Sequence, residues 1–368
     1  MKLTSAVSLY GGFACGGWTY SGTKAKVTPA DAGYALEVAD TKADFTVADL
    51  AFLAPNATTK GQSSIAAFVH NASKVFFVRS ELEAGIAKEG EDGAPGTTGA
   101  PTTGDLKGNA ASGITPGLQK TCTCSSGGTS TGGGGGAPTG AGAAGLPSLG
   151  GATPLDGAPG LGNTGCVAAE PNGSGNNGAD ATNAADGAKV TALGALDATG
   201  WKPQAGTAGP SGAPGQGGGG GGGRDVSSAG GGGACGGCGG SGGKPGGGGG
   251  ASVALLVLDT TVVLRASTLT ANAAGAGGKG GAKGTGAAGG TSAAGVCLGG
   301  DGGRGGDGGT GSGGAGGVSA AVLHKGAPPT NDGSTLTPGA KGAPGIGGSP
   351  ANNDGPDGQT GDIVVAPQ

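Results

Sequence analysis

The chain is poor in the residues from which globular enzymes and nucleic-acid-binding proteins are usually built. Phe, Trp and Tyr make up 3% of its 368 residues, charged residues make up 12%, and the net charge is −4. The Lys and Arg residues are scattered singly and form no basic stripe, which argues against nucleic acid as a partner. The longest apolar stretch, Val253 to Leu258, is far too short to span a bilayer, so we expect no transmembrane segment.

Glycine dominates the composition, with 97 residues against an average of about 7% in ordinary proteins. A glycine loses more backbone freedom on folding than any other residue and buries no side chain. Ordering 97 of them costs on the order of 150 kcal/mol, without apolar burial to offset it. The glycine tracts therefore either remain disordered or pair their backbone amides in a regular, closely packed lattice.

Two apolar runs repeat each other, and each leads into a glycine tract. Residues Ser63 to Gly85 read SSIAAFVHNASKVFFVRSELEAG and match ASVALLVLDTTVVLRASTLTAN at Ala251 to Asn272, with Lys74 as one extra residue in the first copy. A truncated third copy, VSAAVLHKG, lies at Val318 to Gly326. If the segment between the first two copies loops out, the second copy can stack on the first.

The fold class that these patterns predict is all-β. Short runs of β-branched and aromatic residues alternate with turn residues from Val7 to Ala84, and two or three such runs fit into 20 to 25 residues, the spacing of one coil of a parallel β-helix or solenoid. We predict β-helix coils that carry glycine-rich polyproline II or polyglycine II layers and long loops. The alternative is a small β-sandwich with disordered glycine tracts.

Composition divides the chain into four regions. Residues 1–88 form a β-helix-like strand region, and residues 89–250 form a glycine- and proline-rich polyglycine II or loop region with one short strand near 189–201. Residues 251–272 are the second strand repeat. Residues 273–368 form a glycine-rich polyglycine II region with short strands near 318–324 and 362–366.

The tract from Gly299 to Gly317 has a period of three, which matches the three residues per turn of a polyproline II helix. Two edges of such a helix would carry glycine and could approach neighbouring helices. Asp301, Arg304, Asp307 and Thr310 would line the third edge. We expect this tract to be an ordered outer layer of a bundle, whereas a flexible glycine linker is the simpler alternative.

Seven cysteines are the only candidate site residues, and we predict that they form disulfides: Cys15, Cys122, Cys124, Cys166, Cys235, Cys238 and Cys297. Several lie in glycine tracts with no core to bury a thiol, which favours disulfides and an oxidising compartment over a zinc site. The odd count leaves one thiol over, and the connectivity stays open. The many GxGxxG patterns are expected by chance in so much glycine, so no cofactor is predicted.

No catalytic or metal site is predicted. His70 and His324 fall at equivalent ends of repeated runs and are expected to be solvent-exposed. Asp40, Asp44 and Asp49 are the only clustered acids on candidate strands, and a solvated face is favoured over polysaccharide cleavage. Trp201 is expected to cover a coil end or a glycine sheet. Weak calcium contact by Asp301 or Asp307 and ice binding are further alternatives.

Four stretches, Val7 to Trp18, GYALEV, SSIAAFV and ACGGCGGSGGKPGGGGGASVALLV, resemble glycine-rich β-helix surface proteins of the myxobacterial, PE-PGRS-like type. The glycine tracts also resemble polyglycine II sandwich adhesins. The resemblance implies an exported, extracellular or cell-envelope protein whose export signal is missing from this chain. It implies a non-enzymatic structural or adhesive role, alternatively a receptor- or glycan-binding adhesin tip. Cell-surface glycan, a receptor, an envelope component or a second copy would be the partner.

Overall fold

The computed structural model describes residues 1–30, 33–150, 155–166 and 172–367. Within these ranges the secondary structure is entirely β, without a helix. The strands are β1 (Lys2–Leu3), β2 (Leu9–Tyr10), β3 (Ala25–Val27), β4 (Leu36–Ala39), β5 (Phe45–Ala48), β6 (Leu50–Leu53), β7 (Ser64–His70), β8 (Lys74–Val78), β9 (Glu81–Glu83), β10 (Lys120–Thr123), β11 (Thr129–Gly132), β12 (Gly194–Asp197), β13 (Gly200–Pro203), β14 (Ser252–Leu258), β15 (Thr261–Arg265), β16 (Thr268–Thr270), β17 (Ser319–Lys325), β18 (Thr330–Asp332), β19 (Thr335–Thr337) and β20 (Thr360–Val365).

Most strands belong to three parallel sheets. Sheet 1 has the order β1-β4-β7-β14-β17-β20, sheet 2 the order β2-β5-β8-β15-β18, and sheet 3 the order β3-β6-β9-β16-β19. Consecutive strands of the chain enter sheets 1, 2 and 3 in turn, and each new round of three lies beside the previous one. The remaining strands form two antiparallel hairpins, β10–β11 and β12–β13.

The register of the sheets follows the repeats seen in the sequence. Ser64 lies opposite Ser252, which lies opposite Ser319, so the second copy stacks between the first and the third. The first two copies are offset by 188 residues at Ser64–Ser252 and by 187 at Lys74–Thr261. The extra residue of the first copy is therefore in the turn at 71–73. Lys74 itself is paired within sheet 2, contrary to the alignment by sequence.

Residues that tolerate the left-handed backbone conformation stack at the turn from sheet 1 to sheet 2. Asp40, Asn71 and Asp259 have φ of 59°, 46° and 46°, and Gly326 follows them at 92°. Asx residues and glycine adopt this region at the lowest cost, because other side chains crowd the backbone there. Asn71 Nδ2 also donates a hydrogen bond to Asp40 Oδ1, which ties successive turns together.

Buried serines join the rounds at the turn from sheet 3 to sheet 1. Ser252 Oγ donates to the carbonyl of Gly85 at 2.8 Å and accepts the N–H of Asn272 at 2.9 Å. Ser319 Oγ donates in turn to the Asn272 carbonyl at 2.7 Å. Each hydroxyl thus satisfies backbone groups that would otherwise be buried without partners.

The apolar core has two parts, one on each face of sheet 1. The larger lies among the three sheets and includes Phe45, Phe52, Phe77, Leu82, Leu255, Leu264 and Leu269. The smaller covers the opposite face and includes Ile65, Phe68, Leu256 and Leu323, with Leu196 and Trp201 from the β12–β13 hairpin. Because sheet 1 is covered on both faces, its strands read as continuous apolar runs instead of alternating ones.

The glycine tracts all leave and rejoin the sheets at one turn. The chain departs after β9, β16 and β19, the strands of sheet 3, and returns at β14, β17 and β20 of sheet 1. The segment predicted as one strand near 189–201 is instead the β12–β13 hairpin. Its turn at Thr199 is held by the Asp197 carboxylate, which accepts bonds from the Thr199 N–H and hydroxyl at 2.8 and 2.6 Å.

Candidate functional site

The glycine segments between the sheets are joined by backbone hydrogen bonds at every third residue. Along the segment 229–250, the N–H groups of Gly237, Gly240 and Gly243 donate to the carbonyls of Gly303, Gly306 and Gly309 at 2.8 to 3.0 Å. The same spacing continues in both directions along the two segments, which run parallel. We call the hydrogen-bonded segments 204–223, 229–250, 275–297 and 299–318 the glycine lattice.

The segment 229–250 of the lattice has hydrogen-bonded neighbours on several sides. Ser241 and Lys244 donate their N–H groups to Thr97 and Ala94, on an antiparallel neighbour. Gly212 of another antiparallel neighbour donates to the Gly240 carbonyl at 2.8 Å. A Cβ on Gly240 would lie 2.2 Å from the carbonyl oxygen of Gly284, so the two segments approach too closely for a side chain at this position.

The tract from Gly299 to Gly317 is part of this lattice. Its polar positions do lie on one edge, where their backbone amides are bound by side chains of the segment at 175–187. The N–H groups of Asp301, Arg304, Asp307 and Thr310 donate to Oδ1 of Asn177, Asp180, Asn183 and Asp186 at 2.6 to 2.9 Å. We call these four acceptors the Asx ladder. The bonds to Thr310 hold the pKa of Asp186 below its usual value.

Asp307 is held by several groups in the lattice. Its Oδ1 accepts the Gly286 N–H at 3.0 Å and a bond from Arg304 at 2.6 Å, and its Oδ2 lies 3.0 Å from Lys283 Nζ. These partners, the Gly286 amide foremost, hold the pKa of Asp307 far below its usual value. Asp301, the other candidate for calcium contact, uses Oδ1 to accept the N–H of Ser292 at 2.6 Å. Both carboxylates therefore order neighbouring backbone.

Three disulfides each join a segment of the glycine lattice to a part of the chain outside it. The pairs are Cys122–Cys235, Cys124–Cys238 and Cys166–Cys297, and Cys15 is a free, exposed thiol. Zinc was the alternative for Cys122 and Cys124 together with Cys235 and Cys238, and these four cysteines are instead bonded to one another. The pairs close loops of 113 to 131 residues, a length at which a single cross-link stabilises by about 4–5 kcal/mol. Among the described residues, no cluster of His, Cys, Asp or Glu could hold a metal ion.

The three acids considered for catalysis do not converge. Asp49 is buried and bonded to Arg79 through both carboxylate oxygens, at 2.9 and 2.7 Å, so the prediction of a solvated face is wrong for this residue. The Arg79 guanidinium holds the pKa of Asp49 below its usual value. Asp44 is exposed and accepts the Ser73 hydroxyl at 2.6 Å, while Asp40 is exposed at the preceding turn.

Both histidines are buried, so the expectation of solvent exposure is wrong. His70 stacks on Phe68 with ring centroids 4.4 Å apart, and His324 Nδ1 lies 3.1 Å from the Gly326 carbonyl. They are also not equivalent, because His70 pairs with Leu258 whereas His324 pairs with Val257. The strands β7 and β17 each have a hydrogen-bonded neighbour on both sides in sheet 1, and the apolar core covers both faces of that sheet.

A pocket of about 390 Å³ lies where the β12–β13 hairpin meets the segments before β4 and β7. It is lined by Gly33, Tyr34, Gly61, Gln62, Ser63, Ile65, Trp201 and Pro203. Trp201 packs over sheet 1 as a cover, and the ring of Tyr34 lies 5.2 Å from that of Phe68. We call this the Tyr34–Trp201 pocket. Of the residues that line it, only Trp201 stands out in the sequence, because nothing in GYALEV or GQSS marks Tyr34 and Gln62 as its neighbours.

A second concentration of aromatic side chains is on the surface, around the segment between β2 and β3. Tyr10, Phe13, Trp18 and Tyr20 are all exposed, and Cys15 lies among them in the chain. Phe13 and Tyr20 pack edge to face at 5.9 Å, and the Tyr20 hydroxyl donates to Asp49 at 3.0 Å. The Gly11 N–H also donates to the Ala48 carbonyl at 2.8 Å, so polar contacts attach this segment to the sheets, and an antiparallel bridge between Phe13 and Tyr20 closes it on itself.

Over the part of the chain that the structure describes, no helix has the length and apolar character needed to cross a membrane. Comparison of the chain with family models, curated proteins and solved structures finds no match.

Proposed function

We propose that this chain is a non-enzymatic structural or adhesive protein of the cell surface or the extracellular space. In this proposal the three sheets are the faces of parallel β-helix coils, and the glycine lattice is a bundle of polyglycine II helices attached to one turn of those coils. The coils supply the apolar core, and the bundle supplies a stiff extension that contains almost no side chains.

The observation that carries the proposal is the lattice itself. Segments bonded at every third residue, on several sides, at positions where no Cβ fits, require a defined length and packing that a flexible linker does not. Much of the chain is thus devoted to ordered backbone. The three disulfides support an oxidising location, because such cross-links persist mainly outside the cytosol.

Hydrogen exchange of the oxidised protein tests the ordered bundle. We expect slow exchange for the amides of Gly303, Gly306 and Gly309, comparable to that of sheet 1, because each glycine is buried and donates to a carbonyl of the segment 204–223. Amides in the exposed turns, such as Gly16, serve as the internal reference for fast exchange. Fast exchange throughout Gly299 to Gly317 would contradict the bundle.

The location is tested in the cells that make the protein. Intact cells are treated with a protease that does not cross membranes, and the chain is followed by antibody in the medium, the envelope and the cytosol. We expect the protein in the first two fractions, with six of seven cysteines resistant to alkylation until reductant is added. Recovery in the cytosol with all cysteines reactive would overturn the proposal.

A further inference from the structure

The Tyr34–Trp201 pocket has the composition of a ligand site in a chain that has few residues to build one. One of the two tryptophans and one of the three tyrosines of the sequence line this pocket. Its volume of about 390 Å³ is within the range of small-molecule sites, which are commonly apolar with a few placed polar groups. Ile65 and Pro203 supply the apolar walls, and Gln62 and Ser63 supply polar ones.

One buried polar atom of the pocket residues has no partner. Trp201 is 7% exposed, and its indole Nε1 makes no hydrogen bond within the part of the chain that the structure describes. A buried N–H left unsatisfied costs about 1–3 kcal/mol, so such groups are rare in folded proteins unless something else satisfies them. An acceptor atom brought by a ligand would remove this cost.

Gln62 and Ser63 also have hydrogen-bond donors that no other residue within the described ranges uses. Gln62 Oε1 already accepts the N–H groups of Thr58 and Thr59 at 2.8 and 3.0 Å, so the Gln62 amide retains its NH₂ for a ligand. Ser63 Oγ accepts the Ala251 N–H at 2.9 Å and keeps its hydroxyl proton. A ligand rich in acceptor oxygens therefore fits the pocket best.

The charges near the pocket select against anions. Tyr34 is flanked by Glu37 and Asp197, and burial together with these two carboxylates raises the pKa of Tyr34 to about 12. The phenol therefore stays neutral, and an anionic ligand would approach two carboxylates. Glu37 and Asp197 accept bonds from Lys2 and Lys202, each at 2.7 Å, so neither of these two lysines is free to attract an acid.

We propose that the Tyr34–Trp201 pocket binds one neutral sugar residue of a glycan. The apolar face of the sugar ring packs on the aromatic rings of Tyr34 and Trp201, and its oxygens accept hydrogen bonds from Trp201 Nε1 and Gln62. This inference deepens the proposed surface role by naming a partner chemistry. It uses only the pocket, so it stands or falls in purified protein whatever the location of the chain proves to be.

Titration of the purified, oxidised full chain tests the pocket. Trp18 is 79% exposed, so the Trp18→Phe variant leaves Trp201 as the only tryptophan and its fluorescence as the reporter. The probes are N-acetylglucosamine, galactose and glucose, with glucuronate as the anionic probe and decaproline as a peptide probe. We expect a saturable change with at least one neutral sugar and weaker or no binding of glucuronate.

Three variants separate binding from folding, with sugar binding followed by saturation-transfer NMR. Tyr34→Leu removes the aromatic face and should weaken binding about tenfold, whereas Tyr34→Phe keeps the ring and should bind like the parent. Trp201→Phe removes the N–H donor and should weaken binding by about fivefold to tenfold. Melting temperature and the three disulfides are checked in each variant.

The proposal is overturned by either of two results. One is the absence of saturable binding by any neutral sugar in a parent protein that has all three disulfides. The other is saturation by decaproline with no response to sugars, which would assign the pocket to a peptide. Equal binding in Tyr34→Leu and Tyr34→Phe would likewise contradict the packing of a sugar ring on Tyr34.

Discussion

A single methyl group placed inside the glycine lattice should destabilise the protein strongly. In Gly240→Ala the new Cβ would lie 2.2 Å from the carbonyl oxygen of Gly284 and 2.4 Å from its carbon. An ordinary contact requires roughly 1 Å more, so the segments 229–250 and 275–297 must separate locally. Three bonds cross that boundary nearby, from Gly281, Gly284 and Ala287 to the opposite carbonyls, at 2.8 to 2.9 Å.

The size of the effect follows from those bonds. If two or three lengthen or break at about 1–1.5 kcal/mol each, with some burial of unsatisfied groups, the loss is about 3–5 kcal/mol. For a chain of 368 residues this lowers the melting temperature by about 4–6 °C. Calorimetry or circular dichroism measures the shift. Hydrogen exchange should also accelerate at Gly281, Gly284 and Ala287 while sheet 1 stays protected.

Gly17→Ala is the matched control, because a Cβ there meets nothing closer than Thr19 Oγ1 at 3.9 Å. Its melting temperature should change by no more than about 1 °C, in either direction. If Gly240→Ala melts like Gly17→Ala and exchanges no faster, the close packing of the glycine segments is refuted.

Three further predictions concern other parts of the scaffold. The pKa of Asp186 is depressed in the folded protein, so its contribution to stability is present above the ordinary aspartate pKa of about 4 and is lost as the pH falls below it. Asp186→Asn keeps an Oδ1 acceptor, as in Asn177 and Asn183, and its melting temperature should fall less between pH 7 and pH 3 than that of the parent; an equal fall would contradict the role of this carboxylate. Ser252→Ala leaves the Gly85 carbonyl and the Asn272 N–H without their partner, and should cost about 2–5 kcal/mol in denaturant unfolding, whereas the exposed Ser125→Ala should be within about 0.5 kcal/mol of the parent. The double variant Cys166→Ser, Cys297→Ser removes the disulfide that spans 131 residues and should lower the free energy of unfolding by about 4 kcal/mol. Removal of Cys124–Cys238 alone should lower it by less, because Cys122–Cys235 already joins the same segments. Equal losses in the two experiments would refute that shared constraint.

The sequence was informative where apolar side chains repeat. The match of Ser63–Gly85 with Ala251–Asn272 predicted their stacking, because continuous apolar runs with one register can only be buried against each other. The prediction that Lys74 is the extra residue was wrong. Backbone pairing between the strands decides which residue is extra, and sequence similarity alone does not show that pairing. The all-β class followed from the same runs.

The candidate sites were harder to find from sequence because they depend on contacts across long separations. The Asx ladder has a visible signal, since Asn177, Asp180, Asn183 and Asp186 recur with the same period of three as the tract that they bind. The Tyr34–Trp201 pocket has none, because Tyr34 and Trp201 are far apart in the chain and only the fold brings them together. The burial of both histidines was missed for the same reason: the strands that cover them come from distant parts of the chain.

The period of three in the glycine segments has a consequence for how such a gene can change length. In the proposed bundle of polyglycine II helices, insertion or deletion of three residues advances a segment by one full turn and leaves each edge facing its former neighbour. A change of one or two residues rotates everything beyond it by about a third of a turn, so that side chains enter edges where only hydrogen fits. Every glycine segment leaves the sheets and rejoins them at the same turn. Such changes in length therefore leave the pairing of the strands unaltered. Heritable length variation in this molecule should therefore come in steps of nine nucleotides.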